Sequence, residues 1–201
     1  MRDKVYSEKH RKIYRLVNQV LKNSLITKLI HKNQKDNSLE IDTLTGVYNQ
    51  FAINQFLKEL HPQEGKQYGI ILFNIDNLNK IKEQYQSEAM NEVLSNVAER
   101  LTHNIRETDL VGRLSCSEFI LILHDINQEQ VTQIAERLLK VMKSNPIKFK
   151  SKTIPVQFSY GTSVSGQNTT KSEEVLEQAD QNRFIGKGQP HSFYSESQIL
   201  S

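Results

Sequence analysis

The sequence predicts an α+β fold, with helices packed around one mixed sheet, on three observations. Segments whose apolar residues recur at three- and four-residue steps alternate with short continuous apolar runs. One such run, Tyr68 to Ile75 (YGIILFNI), is apolar almost throughout, as a central strand covered on both faces must be. Two further runs, Asp109 to Leu114 and Glu118 to Leu123, are separated only by Ser115-Cys116-Ser117, which leaves room for a hairpin and little else.

The elements follow in order. Ile13, Leu16, Val17, Val20, Leu21, Leu25, Leu29 and Ile30 keep helical spacing, with Lys and Arg between them. This N-terminal amphipathic helix gives way to the polar stretch His31 to Ser38, so the chain divides into a helical arm, 1–35, and a body, 36–201. A short helix over Phe51 to Leu60 is closed by His61-Pro62. After the strand at 68–75, Glu88 to Ile105 is a long helix with Val93, Leu94, Val97, Ala98 and Leu101 on one face. Beyond the hairpin, Gln128 to Met142 is a helix facing inward through Val131, Ile134, Ala135, Leu138 and Leu139. Ile154 to Val164 reads as a strand broken by Gly161, Ser172 to Ile185 as a last helix, and His191 to Tyr194 as an edge strand.

Composition narrows the class. The 201 residues are 37% hydrophobic and 24% charged, the balance of a globular domain. A single cysteine, Cys116, excludes a disulfide framework and suits a reducing compartment. No transmembrane segment or signal peptide is evident, and a cytoplasmic location is expected. The arm carries +8 and the body −5. Such an arm suits a second copy of itself, a protein partner or an anionic surface. It lacks the interleaved aromatics of a single-strand binder, so nucleic acid is not the expected partner.

Five segments, in order and at matching separations, resemble the GGDEF domain of bacterial diguanylate cyclases. Asp42-Thr43-Leu44-Thr45-Gly46-Val47-Tyr48-Asn49 resembles the D-x-L-T-G-L-x-N start, and FNIDNLNKIKEQY (73–85) resembles the D-I-D-x-F-K-x-I-N-D segment. Arg113 to Phe119 falls where the family writes R-x-G-G-D/E-E-F. Ser159-Tyr160-Gly161 matches S-x-G, and Ala179-Asp180 through Lys187 resembles A-D-x-A-L-Y-x-A-K. The resemblance implies an adenylyl-cyclase-like palm, a central five-stranded mixed sheet flanked by helices and preceded by the N-terminal helix.

The family's activity joins two GTP molecules with the help of two metal ions held by acidic side chains. Carried over position by position, the resemblance implies that this chemistry is lost. Asn74 stands at one metal carboxylate and Ser117 at the other, and neither supplies the charge that a hard divalent cation takes. Ser115 and Cys116 replace the two glycines that let backbone approach phosphate. Glu118 and Phe119 keep the end of the motif, and Asp76 sits beside the altered Asn74. The guanine-reading positions hold Lys82 and Asn91. Lys187 keeps a phosphate-binding lysine, while the arginine expected four residues later is His191. No cofactor is expected, with Mg²⁺ needed only if residual cyclase activity persists.

A second constellation survives. Members of this family are often inhibited by product bound at R-x-x-D, five residues before the turn. Arg106-Glu107-Thr108-Asp109 keeps that spacing, and Arg137 falls at a further arginine of the same site. Arginine forks suit phosphodiester oxygens and guanine edges, and a carboxylate suits guanine N–H groups. The resemblance therefore implies an inactive GGDEF domain that binds cyclic di-GMP. A ligand-independent interaction scaffold is the alternative, and a weakly active cyclase a third reading. A homodimer through the N-terminal helix is expected.

Overall fold

The computed structural model describes residues 40–60, 67–166, 171–185 and 189–190. The arm over 1–35, the boundary at 36, and the segment from His191 lie outside the described residues. Helix α1 (Gln50–Glu59) starts where the Asn49 side chain accepts from Ala52 N at 2.9 Å. It buries Ala52, Ile53 and Leu57. Strand β1 (Tyr68–Ile75) follows, then helix α2 (Leu78–His103), which is broken at Gln86 (φ 71°, ψ 172°). The part of α2 after the break buries Ala89, Val93, Leu94, Val97, Ala98 and Leu101, the face expected from the spacing.

Strands β2 (Leu110–Arg113) and β3 (Glu118–His124) form the expected hairpin. Helix α3 (Gln128–Ser144) opens with a reciprocal cap between Asn127 and Gln130. A small separate hairpin, β4 (Ile147–Phe149) and β5 (Lys152–Ile154), turns at Lys150 and Ser151, both with positive φ. Strand β6 (Phe158–Val164), helix α4 (Ser172–Gln181), and the two-residue strands β7 (Phe184–Ile185) and β8 (Gln189–Pro190) complete the described fold.

The main sheet runs β2-β3-β1-β6-β7-β8, and every one of these pairings is antiparallel. This corrects the expected five-stranded mixed sheet. The chain leaves α4 at Gln181 and returns as β7 beside β6, which adds strands where the sequence pattern reads as helix up to Ile185. Among the described residues, parallel pairing is reduced to a single bridge, Tyr48 to Gly112.

The sheet divides two apolar layers, as alternation along a strand requires. Ile71, Phe73 and Ile75 of β1 face the layer that contains the buried side chains of α2 and α3. Tyr68, Ile70 and Leu72 face the layer of α1 and α4. Gly161 does not break β6. Its missing side chain lets α4 approach, since a Cβ there would lie 1.8 Å from the carbonyl oxygen of Ala179. No described helix is long and apolar enough to cross a membrane.

Candidate functional site

Antiparallel register brings the altered positions together at one end of the sheet. Asn74, near the end of β1, lies opposite Glu118 on β3 and Ser159 on β6. The Ser117 hydroxyl donates to Asn74 Oδ1 at 2.9 Å, and Asn74 Nδ2 donates to Asp76 Oδ1 at 2.8 Å. Ser159 Oγ donates to the same Asp76 oxygen at 2.6 Å. The two neutral replacements thus satisfy each other and make Asp76 the acceptor of a closed network.

The turn itself is held by Arg113. Its Nε donates to Ser115 O at 3.0 Å and its Nη2 to Cys116 O at 2.9 Å. Its Nη1 pairs with Asp42 Oδ2 at 3.3 Å, and Asp42 Oδ1 accepts from both the backbone and hydroxyl of Thr45. The D-x-L-T-G segment is thereby tied to the turn. Glu118, the remaining acid of the turn, pairs with Arg183 Nη2 at 3.0 Å, and the same nitrogen contacts Asp180.

These residues do not fit the divalent cations of the family's reaction. Asn74 and Ser117 are neutral and bonded to each other, and Glu118 already has a fixed cation. Among the described residues no group of three or more His, Cys, Asp or Glu has a metal-holding arrangement. Lys82 is exposed before the α2 break and Asn91 half-buried after it, and neither joins the turn network. Lys187 lies outside the described residues. Phe119 is fully buried in the core.

The opposite end of the same hairpin is built differently. A cleft of about 530 Å³ lies between the end of α2, the 104–109 turn and the start of α3, lined among others by His103, Arg106, Asp109, Asp125 and Arg137. Arg106, Asp109 and Arg137 all line this cleft. Arg106 is exposed, and its guanidinium makes no hydrogen bond or ion pair with another described residue. Arg137 Nη2 donates to Asn104 O at 2.7 Å, which holds the guanidinium at the cleft wall.

Asp109 is only 4% exposed. Its Oδ2 accepts from the Arg106 N–H at 3.1 Å and its Oδ1 from the His124 N–H at 3.3 Å. The carboxylate therefore shapes the turn that presents Arg106, and only its remaining lone pairs are open to a ligand.

Two residues escaped the sequence reading. His103 lines the cleft with Nδ1 2.7 Å from Glu99 O, and nothing in its local sequence marks it. Arg183 pairs with Glu118; its signal was a base at a position where A-D-x-A-L-Y-x-A-K has an apolar residue.

The family model described as "Diguanylate cyclase, GGDEF domain" matches residues 39–190. The chain is 28% identical over 179 residues to the cyclic di-GMP phosphodiesterase NbdA of Pseudomonas aeruginosa, covering 87% of this chain and 22% of that protein. It is 29% identical over 164 residues to the response regulator PleD of Caulobacter vibrioides, covering 78% of this chain and 36% of that one. It thus spans well under half of either relative's length. The crystal structure of the coiled coil and GGDEF domain of DgcB from Caulobacter crescentus, in complex with c-di-GMP, superposes with a TM-score of 0.65 at 17% identity. That match covers 84% of this chain and 90% of the other.

Proposed function

We infer that this chain, which belongs to the GGDEF domain family of diguanylate cyclases, is a receptor rather than a catalyst: it binds cyclic di-GMP at Arg106, Asp109 and Arg137 and makes none. One observation carries the reading. The cleft is lined by the exposed Arg106, whose guanidinium bonds no other described residue, while the polar groups of the turn end are already bonded to one another.

Two guanidinium groups fit the two phosphodiesters of a cyclic dinucleotide, each as a charge-assisted fork. Asp109 fixes the backbone that carries Arg106 and offers its spare lone pairs to a guanine N–H. The presence of c-di-GMP in the DgcB complex supports this ligand class. At the other end, Asn74 and Ser117 occupy the positions of the family's metal carboxylates, and Glu118 and Asp76 are already bonded, so no divalent cation is needed there. Incubation with GTP and Mg²⁺ or Mn²⁺ is expected to yield no cyclic di-GMP. Time-dependent product that disappears in Glu118→Ala would contradict the catalytic half of the reading.

Pairing of two chains through residues 5–30 belongs to the same proposal. The apolar stripe there needs a partner, and the +8 charge on each arm makes pairing strengthen with salt. Binding to an anionic surface would weaken instead. Sedimentation at low and high salt separates these. The scaffold alternative has Phe51 in its favour, a large apolar side chain 44% exposed on α1.

A further inference from the structure

We propose that Arg183 is a tethered cation that holds two acidic groups of the turn end, Glu118 and Asp180, together and makes that end independent of metal. The proposal does not rest on ligand binding at the cleft, and its failure would leave that reading untouched.

The argument begins with charge. Glu118 and Asp180 come from different elements, β3 and the last turn of α4, and both contact the same nitrogen of Arg183. A guanidinium stays protonated at any physiological pH and presents its donors in a rigid plane, so it bridges two carboxylates without needing a third ligand. Glu118 and Arg183 are each about three-quarters buried, at 23% and 27% side-chain exposure, which limits screening by water.

The position of Arg183 is itself fixed. The absence of a side chain at Gly161 lets the Ala179 carbonyl sit against β6, and Asn182 Nδ2 donates to Thr162 O at 3.1 Å. Arg183 follows directly and is carried across β6 toward the start of β3. Backbone packing thus places the cation, and the ion pair ties the β2–β3 hairpin to α4. The neutral network of Ser117, Asn74, Asp76 and Ser159 lies beside it and adds no further negative charge beyond that of Asp76.

Removal of the guanidinium makes a sharp test. It leaves the Glu118 and Asp180 oxygens, which both touched one nitrogen, within about 5 Å of each other, the span of two ligands on one hard cation. The experiment is thermal unfolding of the full chain in EDTA and in millimolar Mg²⁺, Mn²⁺ or Ca²⁺. Wild type is expected to show the same midpoint in all four. Arg183→Ala is expected to fall by several degrees in EDTA and to regain part of that loss with divalent cation, whereas Arg183→Ala combined with Glu118→Ala regains none. Arg183→Lys keeps a cation and is expected to remain metal-insensitive. Should Arg183→Ala fail to fold, wild type and Arg183→Lys decide: insensitivity in both supports the proposal, and a divalent-dependent rise in either overturns it. An Arg183→Ala protein as stable as wild type and indifferent to metal also overturns it.

Discussion

The two ends of the β2–β3 hairpin belong to the same element, about 20 Å apart at roughly 3.4 Å per residue, yet they handle polar groups in opposite ways. At the turn end, Ser117, Asn74, Asp76, Ser159, Glu118 and Arg183 spend their hydrogen bonds on one another. At the other end, Asp109 spends its carboxylate on backbone, and the Arg106 guanidinium has no partner among the described residues beside an open cleft. A buried polar group without a partner costs free energy, and an exposed one costs little. Capacity for a ligand is therefore read from which groups the fold leaves unpaired, and on the proposed reading it is lost at the turn end and kept at the cleft end.

The comparison is broken most severely at Gly161. Gly161→Ala places a methyl group 1.8 Å from the Ala179 oxygen, so α4 must shift and take Arg183 with it. The expected loss is about 3 kcal/mol, or failure to fold, read by denaturant unfolding. A loss under 1 kcal/mol would show that α4 is free to move and that the turn end is loosely held.

Asp109 tests the cleft end. Asp109→Ala strips the acceptor from the Arg106 and His124 N–H groups, and about 1–3 kcal/mol of stability should go with it. Asp109→Asn keeps one acceptor oxygen and should lose less. If Asp109→Ala weakens cyclic di-GMP binding while its unfolding midpoint is unchanged, Asp109 is a ligand contact and not a positioning residue.

The smallest effect belongs to Ser117→Ala. Loss of the hydrogen bond to Asn74 should cost about 0.5–1.5 kcal/mol and leave affinity at the cleft unaltered. A change in ligand affinity would show that the two ends are coupled along the hairpin.

Much of this was legible in the sequence because it depends on local pattern. The apolar run of β1, the inward face of α3 and the three-residue turn follow from periodicity and spacing. Asn74 and Ser117 stand out only through the resemblance, set position by position against the family's motifs. The Glu118–Arg183 pair was not legible, because it depends on how closely α4 sits on β6, a distance set by Gly161. The burial of Asp109 was hidden for a similar reason: its acceptors face a backbone N–H fifteen residues away. The β4–β5 hairpin was missed because its strands have three residues each and its turn uses Lys150 and Ser151 in place of the usual Asn-Gly or Asp-Gly signal.

The receptor reading is tested most directly by calorimetric titration of the full chain with cyclic di-GMP, wild type beside Arg106→Ala. The Arg106 side chain makes no bond within the described fold, so its removal should leave stability intact and act on the ligand alone. Wild type is expected to bind in the micromolar range or tighter, and Arg106→Ala roughly 10- to 150-fold more weakly, the loss of one charge-assisted hydrogen bond of about 1.5–3 kcal/mol. No heat from wild type at millimolar ligand, or equal affinity in the two proteins, would contradict the account.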